Sequence, residues 1–136
     1  MKKVLLDTNI ILDIALQRYP FFEDARQIFA KIDNGEIKGF VTASSVTDIY
    51  YISRKSCGRE KTIAFIRELI DIIEILSVTK KSITDALNAD FKDFEDAIQC
   101  CIADMNEINI IVTRNKPDFE KSTVEVCTPA ELLNQV

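Results

Sequence analysis

The chain contains no histidine among its 136 residues. That absence removes the serine–histidine and cysteine–histidine routes to an activated nucleophile, along with the commonest acid–base group near neutral pH. Any chemistry has to come from carboxylates, hydroxyls or a bound metal. The four cysteines, Cys57, Cys100, Cys101 and Cys127, form no CxxC pair, which argues against a zinc site and against a disulfide framework. No apolar run approaches the roughly 20 residues that span a bilayer. Met1 to Asp7 meets an aspartate too early for the apolar stretch of a secretion signal. The expectation is a cytoplasmic protein with no membrane partner. An excess of positive charge is missing as well: 17 basic residues stand against 22 acidic ones, a formal net charge of −5. Bulk attraction to a polyanion is thereby excluded, and any nucleic-acid contact must be local.

What is present is a globular composition. With 47% of residues apolar and no repeat, linker or low-complexity segment, residues 1–136 read as one domain able to bury a core. Val4-Leu5-Leu6 is apolar on consecutive positions and stops at Asp7-Thr8-Asn9, the pattern of a strand buried on both faces and followed by a polar turn. Helical spacing over Phe21 to about Asn34 predicts a helix ended by Asn34-Gly35. A short strand over Lys38–Thr42 precedes a helix capped by Ser44 or Ser45 and running through Asp48 to about Arg54. Tyr50, Tyr51 and Ile52 on that helix read by default as core cover. Beyond Cys57-Gly58, the pattern predicts a helix over Thr62–Ile70, a strand over Ile73–Val78, and helices over Ser82 to about Ala89 and Phe94 to about Met105. A buried strand over Ile110–Val112 follows, then an edge strand over Val124–Cys127 and a helix started by Pro129. Strands alternating with helices imply a three-layer α/β/α sandwich with a central, mostly parallel sheet of about five strands.

In such sheets ligands bind beyond the carboxyl ends of the strands. Asp7 falls at the end of the first strand, Asp48 one turn into the helix after the second, and Asp96 in the first turns of the helix before the fourth. Carboxylates gathered without counter-charge either hold protons through raised pKa values or bind a divalent cation. Mg2+ or Mn2+ favours oxygen ligands and retains waters, so the three aspartates with hydroxyl or amide support from Thr8, Asn9, Thr113 and Asn115 make a plausible nest. Such an ion activates water and stabilises charge on a phosphodiester oxygen, which is nuclease chemistry without histidine. The bland readings are local: Asp7 closing the turn, Asp48 completing a capping box with Ser45, and Asn9 capping a helix.

Four segments, Leu5-Leu6-Asp7-Thr8-Asn9, Ser44-Ser45-Val46-Thr47-Asp48, Phe94-Glu95-Asp96-Ala97 and Val112-Thr113-Arg114-Asn115, follow in order along the chain. Together they resemble the motifs of the PIN-domain family, and the resemblance covers essentially the whole chain. It implies a Mg2+- or Mn2+-dependent endoribonuclease similar to the VapC toxins, with an RNA substrate, an antitoxin protein partner and a homodimer as the corresponding partners. It further implies catalytic and metal-binding roles for Asp7, Asp48 and Asp96. Asp48 stands where the family commonly has glutamate, and the neutral Asn115 stands at the fourth acidic position, for which Asp118 is a substitute. Asp93, one turn before Asp96, would enlarge the acidic rim, and Arg114 is the candidate phosphate contact. Two other readings remain open. A catalytically degenerate PIN-like domain would act as an RNA- or protein-binding module. A haloacid-dehalogenase-type phosphatase needs a second aspartate where this chain has Asn9.

Overall fold

The computed structural model describes residues 1–136. Five parallel strands, β1 (Lys2–Leu6), β2 (Ile37–Thr42), β3 (Glu74–Leu76), β4 (Ile110–Val112) and β5 (Glu125–Cys127), form one sheet in the order β3-β2-β1-β4-β5. The continuous apolar run of β1 reflects its place at the centre, where Leu5 pairs with Phe40 of β2 on one side and with Ile111 of β4 on the other. Both of its faces are covered. Val4 and Leu6 point into a core shared with Ile10, Ile28, Ile49, Leu69 and Leu132. Leu5, one residue out of phase, points to the opposite side against Cys100, Ala103, Ile108 and Phe119. This is the three-layer arrangement that the alternating elements imply.

Helices α1 (Thr8–Ala15), α2 (Phe22–Asp33), α3 (Ala43–Cys57), α4 (Arg59–Ile72), α5 (Lys80–Asn88), α6 (Phe94–Met105) and α7 (Pro129–Gln135) cover the faces. A short 3-10 helix at Lys116–Phe119 links β4 to β5. The chain leaves β1 toward β2 and β3 and leaves β4 toward β5, so the crevice between the carboxyl ends of β1 and β4 is a switch point of the kind where α/β sheets bind ligands.

Local readings needed correction in five places. The segment read as a polar turn after β1 is α1, whose Ile10, Ile11 and Leu12 are buried; its eight residues are too few to establish a helical period in sequence. The cap of α3 is Thr42, whose hydroxyl accepts from the Ser45 backbone N–H, and Asp48 consequently belongs to no capping box. Asn9 is inside α1 and accepts from Arg18 at 3.3 Å, so it caps nothing. The third strand is only Glu74–Leu76, because Ile73 ends α4. Finally, Tyr51 and Ile52 are 60% and 40% exposed: the buried stripe of α3 is Ser45, Ile49 and Ser53 at spacing four, and the neighbouring positions rotate outward.

Candidate active site

Asp7 continues the ladder of β1, its backbone N–H donating to the Val112 carbonyl at 3.0 Å. Its side chain leaves the start of α1 uncapped and turns into the crevice. Oδ1 accepts from Gln99 Nε2 at 3.0 Å and Oδ2 from Thr113 Oγ1 at 2.8 Å. Thr113 is itself fixed, its N–H donating to the Cys127 carbonyl and its hydroxyl accepting from the Asn115 N–H at 3.1 Å. The Asp7 carboxylate is thus buried and clamped on both oxygens, each of which keeps one lone-pair direction free.

Asp96 reaches the same crevice from the first turn of α6. Burial, and then the negative charges of Asp93, Asp7, Asp118 and Glu95, push its carboxyl up to about 7. Asp93 is the N-cap of α6, and its Oδ1 accepts from the Asp96 N–H at 3.0 Å; it fixes the helix start and adds negative field. Asp118 comes from the 3-10 helix and adds to the same field. Asp93, Asp96 and Asp118 line a cleft of about 290 Å3 that Lys92 and Lys121 also border.

Glu95 was not singled out from the sequence. It crosses toward the β2–α3 junction, accepting from the hydroxyls of Ser44 at 3.3 Å and Ser45 at 3.4 Å. The Ser45 hydroxyl in turn accepts from Thr8 at 2.8 Å and Thr42 at 3.1 Å. Thr8 therefore supports the rim through a hydroxyl network. Burial and the nearby Asp48 charge hold Glu95 above the ordinary carboxyl range, with the two serines pulling the other way. Asp48 is exposed on α3, and its charge is felt by Glu95. The side chain of Asn115 is exposed, and its contribution to the site is the backbone donation to Thr113.

Gln99 also escaped the sequence reading. The available signal was a lone amide in the apolar stripe Ala97, Ile98, Cys100, Ile102, placed three residues after Asp96 and so on the same face.

Arg114 requires a correction. Its guanidinium is bidentate to the buried Asp13, with Nε to Oδ2 at 2.8 Å and Nη2 to Oδ1 at 3.2 Å, and it lies 3.9 Å over the Phe21 ring. Arg18 Nη1 approaches Asp13 at 3.8 Å. The buried carboxylate of α1 needs a counter-charge, which commits the Nε and Nη2 edge of Arg114 to anchoring the loop after β4 rather than to phosphate.

The donors at the crevice are hard oxygens without a cation among them, which suits Mg2+ or Mn2+. No three acidic or thiol groups converge into a ready-made cage; Mg2+ and Mn2+ keep several of their waters and need few protein ligands. The buried carbonyl oxygen of Gln99, beside Asp7 and without a hydrogen-bond partner, is the polar atom such a hydrated ion would satisfy.

The chain is similar in sequence or in fold to several known proteins. Ribonuclease VapC1 of Aquifex aeolicus is 26% identical over 133 residues, covering 91% of this chain and 92% of that protein. The DNA-bound VapBC structure from Salmonella typhimurium superposes with a TM-score of 0.72 at 18% identity, covering 93% of this chain and 97% of the other. A toxin–antitoxin complex from Klebsiella pneumoniae gives 0.70 at 21% identity, with the same coverage. Mycobacterium tuberculosis VapC20, a sarcin-ricin-loop-cleaving toxin, gives 0.66 at 12% identity, covering 79% and 86%. At these identities the structural likeness is one of fold. The PIN domain family model matches residues 3–117, which is most of the chain, and the chain belongs to the PIN domain family.

Proposed function

We propose that this protein is a divalent-metal-dependent endoribonuclease that hydrolyses RNA phosphodiester bonds, and that it is the cytoplasmic toxin of a VapBC-type pair. The observation that carries the reading is the clamped Asp7 carboxylate facing the like-charged Asp96 across a switch-point crevice. The curated relative named as a ribonuclease supports the chemistry, and the structural neighbours named as toxin–antitoxin complexes support the partner.

Asp7 and Asp96 would hold Mg2+ or Mn2+, with Glu95 and Asp48 as the further acidic residues of the rim. When bound, the ion supplies an acidified water as nucleophile and stabilises charge on the phosphate oxygens. Gln99 and Thr113 keep the Asp7 oxygens turned toward the crevice. Asp96, held near 7 by burial and its neighbours, would have to release its proton to act as a ligand. Lys92 and Lys121, the latter in an exposed 3.5 Å pair with Asp90, stand on the rim of the cleft that Asp96 lines and replace Arg114 as the local cations for an RNA backbone, in keeping with a chain whose net charge gives no bulk attraction. The exposed Tyr51 and Ile52 of α3 offer apolar surface for the antitoxin or a second copy.

The test uses protein stripped of metal and resupplied with Mg2+ or Mn2+, incubated with structured and single-stranded RNAs beside Asp7→Asn. Metal-dependent cleavage that the variant loses while keeping its circular dichroism spectrum is the expected result. A second reading, the catalytically degenerate binding module, is favoured by one observation: no three acids make a preformed cage. It predicts RNA or protein binding with no cleavage and no calorimetric signal for either ion.

A further inference from the structure

Gln99 is 1% exposed on the sheet-facing side of α6. Its neighbours Ala97, Ile98 and Cys100 are buried and apolar, an environment that favours an apolar side chain at this position. The amide uses half of its capacity: Nε2 donates to Asp7 Oδ1 at 3.0 Å, while Oε1 is buried with no partner. Reversing the amide would set two acceptors face to face, so this orientation is the one that bonds. The oxygen belongs to the same planar group and therefore lies beside the Asp7 carboxylate. A buried acceptor without a partner is a standing desolvation cost, and such a group calls for an occupant.

Two other buried side chains lack partners, the hydroxyls of Ser53 and Thr62 on α3 and α4, and neither bonds to an acid. Gln99 alone joins an orphaned atom to a carboxylate of the candidate site. Mg2+ and Mn2+ bind through few protein ligands and keep several waters, so an ion held at Asp7 would carry water protons that require acceptors.

We propose that Gln99 is a positioning residue for a hydrated divalent cation, its amide N–H holding Asp7 and its carbonyl oxygen accepting a hydrogen bond from a water that the cation carries. The proposal rests on the divalent-metal reading of the site and adds the residue that orients the ion's water. Partners of this kind around a metal typically change affinity by about 10-fold or more when removed.

The experiment is calorimetric titration of the full chain with MnCl2, for wild type, Asp7→Asn, Gln99→Met and Thr113→Val, each with a metal-free melting curve. Gln99→Met removes both the donor and the acceptor at similar volume, whereas Thr113→Val removes the other donor to Asp7 and leaves the Gln99 acceptor in place. The expected result is binding about 10-fold weaker in Gln99→Met and a clearly smaller loss in Thr113→Val, with both variants folded. Gln99→Leu takes the place of Gln99→Met if the latter does not fold. Wild-type Mn2+ affinity in the apolar variant overturns the proposal and leaves the metal reading standing. A loss in Thr113→Val as large as in the apolar variant also overturns it, because loosening Asp7 would then be the whole effect. Absence of Mn2+ binding in the wild type, indistinguishable from Asp7→Asn, overturns the metal reading and this proposal with it.

Discussion

At the scale of the residue, Asp96 and Arg114 make opposite demands on their surroundings. Asp96 titrates at about 7 against an ordinary 3.8, so between these values the folded chain holds a proton that the unfolded chain has released. Stability of the metal-free protein therefore falls as pH rises from about 4 to about 7 on account of this group, and the penalty is complete above that window. Metal binding follows the reverse sense, because below about 7 the cation has to displace the proton. Apparent Mn2+ affinity should rise by up to about tenfold per pH unit until about 7 and then level. Titrations at about pH 5.5, 6.5, 7.5 and 8.5 check this; a flat profile would remove Asp96 from the ligand set. Arg114 instead neutralises Asp13, whose side chain is 1% exposed. Arg114→Ala leaves a buried carboxylate with only the more distant Arg18, and a loss of about 3 kcal/mol is expected by urea unfolding. Mn2+ binding should weaken with it, since Thr113 is the adjacent residue and holds Asp7.

At the scale of the element, two backbone details set the site's frame. Thr42 ends β2 and starts α3, and its hydroxyl serves both the Ser45 N–H and the Ser45 hydroxyl. Thr42→Ala should cost about 1 kcal/mol as a lost helix cap and should also loosen the hydroxyl chain that reaches Glu95; chemical denaturation reads the first effect. Gly39 lies in β2 where α2 presses closest, and a Cβ there would sit 2.6 Å from Ile32 Cδ1 and 3.3 Å from Ile73 Cγ1. Gly39→Val should therefore destabilise by about 2 to 3 kcal/mol through overpacking. Gly58, at φ +87° between α3 and α4, is a turn that other residues adopt only with strain.

At the scale of the molecule, the site exists only because the sheet order brings distant segments together. Gln99 and Thr113 lie 92 and 106 residues from Asp7 in sequence and meet it because β1 and β4 are neighbours and α6 packs across them. A cation held at this junction would tie β1, α6 and the loop after β4 into one unit and would bind the folded state alone. Mn2+ at about 100 times its Kd should then stabilise the wild type by about 2.7 kcal/mol, read as a raised melting temperature that Asp7→Asn does not show.

Taken alone, the sequence determined the layer architecture, because buried strands and amphipathic helices leave periodic signatures, and it determined the order of the acidic motifs carrying the family resemblance. It placed Asp7, Asp48 and Asp96 at strand and helix ends, since those positions follow from local pattern. Tertiary structure decided the rest. Helix α1 was missed because its eight residues are too few to establish a helical period. Glu95 rather than Asp48 makes the hydrogen bonds at the β2–α3 junction, and Arg114 turns to Asp13 rather than to the cleft. Gln99 is known as a partner of Asp7 only once α6 crosses the sheet. Each of these depends on which side chains meet across long sequence separations, and hydrogen bonds and ion pairs form wherever packing leaves buried charge to satisfy, which local periodicity does not encode.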